Sequence, residues 1–299
     1  MSNLDQFTLR NSKRKTDIRS EREFRTATPA VALLCLVAGL GHAIPAQGQE
    51  TEWRVVVGGG VFSAPTFPGS DSQRTRVLPV IGASFANGRF FIFSEPGAGT
   101  LTGIGYNFYR DSHLRLSVAI GAGLTRRQES DDPRLTGLGD VDRTATAQLG
   151  ASYTLDWFAA RARVATDIGG NEQGTLARLD FLGHFRPGDR WALAAGPGLE
   201  WANDRYMQTF FGVDATQSAN SGFPQFSASS GIVRTRLSAN AIYTIGRNWG
   251  VGASGWIARL QNDAARSPIT EDESQHYVGI FAIYRFGSSR GRLDALDLP

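Results

Sequence analysis

The feature that most constrains this chain is an alternation of apolar and polar residues, repeated in segments of about ten residues between residues 50 and 286. In the clearest segment, Ala177, Leu179, Phe181, Gly183 and Phe185 fall on one face, and Arg178, Asp180, Leu182, His184 and Arg186 on the other. Phe158, Ala160, Ala162 and Val164 alternate in the same way with Arg161, Arg163 and Asp167. Farther on, Val233, Leu237, Ala239, Ala241, Tyr243 and Ile245 stand against Arg234, Arg236, Ser238 and Asn240. Successive side chains of a strand point to opposite faces, so a period of two predicts strands. No stretch of 18 apolar residues follows residue 50, which leaves no helix there able to cross a bilayer.

Counting such segments predicts twelve strands, at about 53–62, 76–86, 89–95, 99–110, 113–124, 144–155, 157–169, 174–186, 190–202, 232–245, 248–260 and 275–286. Their connections alternate in length. Tight turns fall at residues 87–88, 110–112, 156, 186–189 and 246–248. The other connections include long loops at 63–75, 125–143, 203–231 and 261–274, with short ones near 96–98 and 170–173. An even strand count with this rhythm predicts an all-β fold, a single transmembrane antiparallel barrel of the outer-membrane type, with the short turns and both termini in the periplasm. In hydrocarbon every backbone polar group needs an internal partner, and a closed barrel supplies one. Glycine, 35 of 299 residues, exceeds the usual share of about 7% and leaves room opposite large inward side chains. A soluble all-β fold of many short strands would share the alternation but not the rhythm of short and long connections.

Residues 1–46 differ from the rest. A basic stretch containing Arg10, Lys13, Arg14, Lys15, Arg19, Arg22 and Arg25 precedes the apolar run Ala30–Gly41, and small residues follow. That order predicts a secretory signal peptide cleaved near residues 43–49. The only cysteine, Cys35, lies in this run, so no intrachain disulfide is possible. The leader holds seven of the 31 Lys+Arg and four of the 28 Asp+Glu, which leaves 24 of each and no net charge. Both lysines leave with it, so arginine is the only permanent side-chain cation of the exported chain. A basic surface for nucleic acid has no support in that composition.

The order of motifs carries a resemblance. GGGVFSAPTFPGSDSQRTRVLPVIGASFANGRFFI (58–92), FFGVDATQSANSGFPQFSASSGI (210–232) and DAARSPITEDESQHYVGIFAIYRF (263–286) resemble, in sequence order, segments of the MipA/OmpV outer-membrane family. The chain departs from that pattern at its end, where residues 287–299 extend past the terminal Phe286. The resemblance implies an outer-membrane barrel, and one namesake is similar to a scaffold joining a murein-cleaving transglycosylase to a murein synthase. Lipid and lipopolysaccharide would surround such a barrel.

Candidate chemistry is sparse. Three histidines follow the leader: His113 beside a turn, His184 with Asp180 and Arg178 on the polar face, and His276 with Ser274 near the outer rim. None sits in a nucleophile motif, and neither catalytic residues, cofactor nor metal site is expected. Carboxylates gather at Glu129, Asp131, Asp132, Asp140 and Asp142, and at Glu271–Glu273, in loops expected to be solvated, with no EF-hand spacing. The most informative set is the inward-facing one: Arg115, Arg161, Arg163, Asp167, Arg178, Asp180, His184, Glu200, Arg234 and Arg236. It predicts an ion-pair network filling a narrow lumen, or a narrow water path for small solutes or anions. The resemblance implies a non-enzymatic outer-membrane scaffold for murein-remodelling enzymes. A porin-like channel is the alternative, and a lipid-modifying enzyme the third reading.

Overall fold

The computed structural model describes residues 52–93, 103–123 and 126–288. The leader and most of the extension after Phe286 lie outside the described residues. So does the short connection near 96–98. Twelve strands form: β1 (Arg54–Pro65), β2 (Gln73–Phe85), β3 (Phe90–Phe93), β4 (Gly103–Arg110), β5 (Leu114–Ala122) and β6 (Ala145–Thr154), followed by β7 (Phe158–Asp167), β8 (Thr175–Phe185), β9 (Trp191–Ala202), β10 (Gly231–Ile245), β11 (Trp249–Leu260) and β12 (Ser274–Gly287). Each pairs antiparallel with its neighbours in sequence, and β1 meets β12 with Gly60 opposite Phe281, so the ladder closes. Strand positions agree with the alternation to within a few residues. The last strand runs one residue past Phe286.

Alternation decides what each face meets. On β8, Phe181 and Phe185 point outward and are exposed, while Leu176 and Leu182 point inward and are buried. Val77, 80% exposed, with Ile104, Ile120, Leu149, Leu237, Ile257 and Ile280, extends this outward apolar belt around the barrel. In water such a surface would be an aggregation hazard, whereas in a bilayer it is the lipid contact. Aromatic pairs at the short-turn end, Trp191 with Tyr243 and Trp249 with Tyr284, have ring centroids 5.0 Å apart and suit the membrane interface. One outward assignment fails. Val233 is buried because a bulge between Ile232 and Arg234 shifts the register and turns its side chain inward.

The long loops fold into a lid of their own, which alternation does not foretell. Within 203–230, α1 (Asp204–Phe211) begins where the Asn203 side chain accepts from the Tyr206 N–H at 3.1 Å. Spacing of three and four residues puts Tyr206, Met207, Phe210 and Phe211 on one buried face. That face rests on Leu176, Ala202, Val233 and Leu260, the inward residues at the outer ends of β8 to β11. A second helix, α2 (Ala215–Ser221), starts with a capping box between Asp214 and Gln217 and stops at Gly222, whose φ of 80° is left-handed. A third, α3 (Asn262–Arg266), buries Ala264 in the core beneath α1. Phe67, Leu135, Leu138, Val213 and Ile269, drawn from four different loops, form a further core. Each such buried side chain contributes about 1.5–3 kcal/mol, so the lid is a packed body.

Arg127 joins the lid to the rest of its loop. Its side chain is buried, and Nη1 donates to the Phe210 carbonyl at 3.1 Å, at the C-terminal end of α1. A cation there suits the helix dipole. Burial alone pushes this guanidinium down to about 10.

Candidate functional site

The register assembles the inward charges of β7 to β10 into two levels. At one level Arg163, Arg178, Glu200 and Arg234 stand opposite one another across successive strands. At the next stand Arg161, Asp180, Gly198 and Arg236. Glu200 is the centre. Its side chain is only 2% exposed, and its carboxylate takes Arg234 Nε at 2.7 Å, Arg178 Nε at 3.1 Å and Arg236 Nη1 at 3.1 Å. Arg236 also grips Asp180 through Nη2, at 2.8 and 2.9 Å to the two carboxylate oxygens. This bond crosses over Gly198, where a Cβ would stand 2.2 Å from Asp180 Oδ1 and 3.1 Å from Arg236 Nε. A side chain there would have to displace the ion pair, which occupies the space it would need.

Two contacts extend the belt, one across the lumen and one along the wall. The Arg163 guanidinium lies 5.1 Å from the ring centre of Phe93 on β3. Arg234 lies 5.5 Å from the ring of Trp256. Trp256 stacks on Tyr277 at 5.8 Å, and Tyr277 on Phe62 at 6.3 Å, so a line of rings continues the charged wall into an apolar one.

The other inward residues stand apart from this belt. Asp167 turns to its own loop and accepts from the Gly169 and Gln173 N–H groups at 2.8 and 2.9 Å. His184, near the short-turn end, meets the Leu155 carbonyl through Nε2 at 2.7 Å. Arg115 sits at the same end of β5, opposite Ser152 and Arg110. His276 and Ser274 share the outward face of β12, opposite Ile257 and Arg259. His113 Nδ1 is 2.8 Å from the adjacent Ser112 Oγ in an exposed turn.

The carboxylates of loop 123–144 are engaged rather than freely solvated. Glu129 Oε1 accepts from Gly137 and Gly139, and Asp140 from the Glu129 N–H. Asp132 caps the turn at Arg134. Asp131 pairs with Arg74 Nη1 at 2.6 Å and Arg126 Nη2 at 2.9 Å. Among the described residues no cluster has the makings of a metal site.

Asp131 ties the lid to the barrel wall, and its titration follows. Burial pushes its carboxyl up, but the Arg74 hydrogen bond, the Gln128 N–H and the charges of Arg126 and Arg74 outweigh that and hold it below the usual value. A depressed carboxyl contributes stability above its unfolded value, near about 3.9, and loses it as pH falls through the lower folded value. Amide protection in 126–143, corrected for intrinsic exchange, is therefore expected to persist from pH 7 to about 4 and to fall only below that. Loss of protection by about pH 5 would contradict the tie.

The chain resembles known proteins over most of its length. The MltA-interacting protein of Escherichia coli (strain K12) is 23% identical over 256 residues, covering 85% of this chain and 96% of the relative. YiaT of the same strain is 23% identical over 238 residues, covering 79% and 93%. Among solved structures, the translocator domain of the autotransporter NalP from Neisseria meningitidis aligns with a TM-score of 0.40 at 10% identity, covering 86% of this chain and 95% of that one. The outer membrane channel DcaP of Acinetobacter baumannii aligns with a TM-score of 0.36 at 10% identity, covering 79% and 96%. The closed ladder and apolar belt make this chain an outer-membrane β-barrel. Over residues 57–286 it matches the family described as MltA-interacting protein MipA, and the chain belongs to that family.

Proposed function

We propose that this barrel serves as a non-enzymatic docking protein of the outer membrane, and that its partner is a murein-remodelling enzyme met through the periplasmic turns. The observation that carries this reading is the lid: α1 rests on the inward ends of β8 to β11 and covers that side of the mouth. Below it Glu200 holds three arginines together, which suits a wall that binds itself rather than a solute path. The interaction written into the relatives' name supports the choice of partner. Lipid and lipopolysaccharide would line the belt and outer rim.

A narrow path for anions is the second reading. It is favoured by the arginine-rich wall of β7 to β10, where Arg161, Arg163, Arg178, Arg234 and Arg236 share two levels with Asp180 and Glu200. Two measurements separate the readings. The purified barrel in a planar bilayer is expected to stay silent, and affinity capture from solubilised envelopes to recover a transglycosylase that is lost when turns 111–113 and 186–190 are replaced. Steady anion-selective conductance, reduced by Arg161→Ala with Arg163→Ala, would favour the path instead. Capture without any murein enzyme would remove the docking reading.

A further inference from the structure

The inner wall has a second cationic cluster, on the side of the mouth away from α1. Arg74 and Arg76 are two residues apart on β2, so they share a face. That face is the inward one, because Arg76 stands opposite the buried Phe62 of β1. Arg126 and Arg143 reach the same place from loop 123–144. Burial, then the charges of Arg126 and Arg76, push the Arg143 guanidinium down. Arg76 in turn feels the charges of Arg74, Asp131 and Arg126. Four arginines thus converge where the carboxylate drawn among them is Asp131.

How Asp131 is used decides what remains. It takes Arg74 Nη1 on its side chain and Arg74 Nη2 on its carbonyl, both at 2.6 Å, and Arg126 Nη2 at 2.9 Å. Arg74 is thereby fixed in place, and Arg126 keeps most of its five donors. Arg76 makes no hydrogen bond or ion pair among the described residues, and it is exposed although it points inward. It therefore reaches into open space inside the mouth. The contrast with the Glu200 belt is chemical: there two carboxylates bind guanidiniums to one another, and here one brace leaves Arg76 and most donors of Arg126 open.

Guanidinium groups match the paired oxygens of phosphate and carboxylate through parallel N–H bonds, and several converging on one point favour a multiply charged anion over chloride. We infer that Arg74, Arg76 and Arg126, flanked by Arg143, form a binding site for a phosphoryl oxyanion borne by a small soluble solute, inside the outer mouth beside the lid. The inward placement selects a small solute over the phosphates of lipopolysaccharide, which shares the chemistry but lies around the barrel. The inference is independent of whether the barrel docks a murein enzyme.

Calorimetry on the full chain in detergent micelles tests it, with inorganic phosphate as the probe, sodium chloride at matched ionic strength, and lipid A micelles in a third arm. Phosphate is expected to bind with a Kd of about 1 mM or tighter. Arg76→Gln is expected to weaken it about tenfold and Arg76→Lys less, since an ammonium lacks the fork. Arg259→Gln, at an exposed outer pair with Glu273, should leave it unchanged and controls for general charge. No phosphate heat up to about 10 mM, equal displacement by chloride, or an unchanged Kd in Arg76→Gln would each overturn the site. Arg76-dependent binding of lipid A without phosphate binding would overturn the small-solute assignment. Because Arg76 carries no hydrogen bond or ion pair among the described residues, a folded variant is expected, and heat-modifiable gel mobility verifies it.

Discussion

Replacing Glu200 by leucine is expected to cost the barrel about 3–5 kcal/mol, the usual penalty for removing one partner of a buried ionic network. The reason is the count of charges left behind. Arg178, Arg234 and Arg236 all touch Glu200, and each would lose that carboxylate, while Arg236 keeps Asp180. Glu200→Gln keeps the shape and loses the charge, so it should fall between wild type and leucine. Arg178→Met removes one of three cations and keeps the carboxylate served, so its effect should be smaller. Denaturant unfolding of the reconstituted barrel, followed by tryptophan fluorescence, reads all three. A loss below about 1 kcal/mol for Glu200→Leu would mean that lumen water, rather than Glu200, solvates the arginines.

The second large effect is expected at α1. Phe210 and Phe211 are each at most 1% exposed, and each truncation to alanine should cost about 3–5 kcal/mol of local stability. The two are neighbours in one core, so the double change will not be additive. Since α1 lies on strand ends whose own pairing is unaffected, the loss should appear in the lid first. Amide exchange over 203–230 should rise while that of β8 to β11 stays low. Planar-bilayer recordings of the double variant should then show openings where the parent is silent. A lid that exchanges freely above a barrel that stays silent would move the seal down to the Glu200 belt.

The strands were legible because their signal is local. A period of two needs only neighbours in sequence, and it gives the count of strands and which residues of a strand share a face, as Arg161 and Arg163 do. What it leaves out is non-local. The partnership of Arg236 with Asp180 depends on a register through two strand pairs and on the absence of a side chain at Gly198. Val233 lies beside a bulge, which reverses the parity that alternation assumes. Asp167 shares the inward face yet folds back on its own turn. The lid was hardest to read, although part of its signal was present. Asn203 before Asp204, and Asp214 three residues ahead of Gln217, are helix starts, and Tyr206, Met207, Phe210 and Phe211 have helical spacing. Short helices of eight and seven residues inside a β pattern are easily taken for loop. Phe67, Leu138, Val213 and Ile269 carry no mutual sequence signal, because they meet only once the barrel has brought their loops together.

That meeting of four loops in one core has a consequence for how the outer face can change. Loops that stand alone drift independently, and each presents its own short peptide to the outside world. Here an insertion near Phe67 must be absorbed by the segments carrying Leu138, Val213 and Ile269. A phage or antibody approaching the cell meets a composite epitope that no single loop reproduces. Escape from such a binder calls for matched changes in several loops, and a synthetic peptide copied from any one of them should fail to compete.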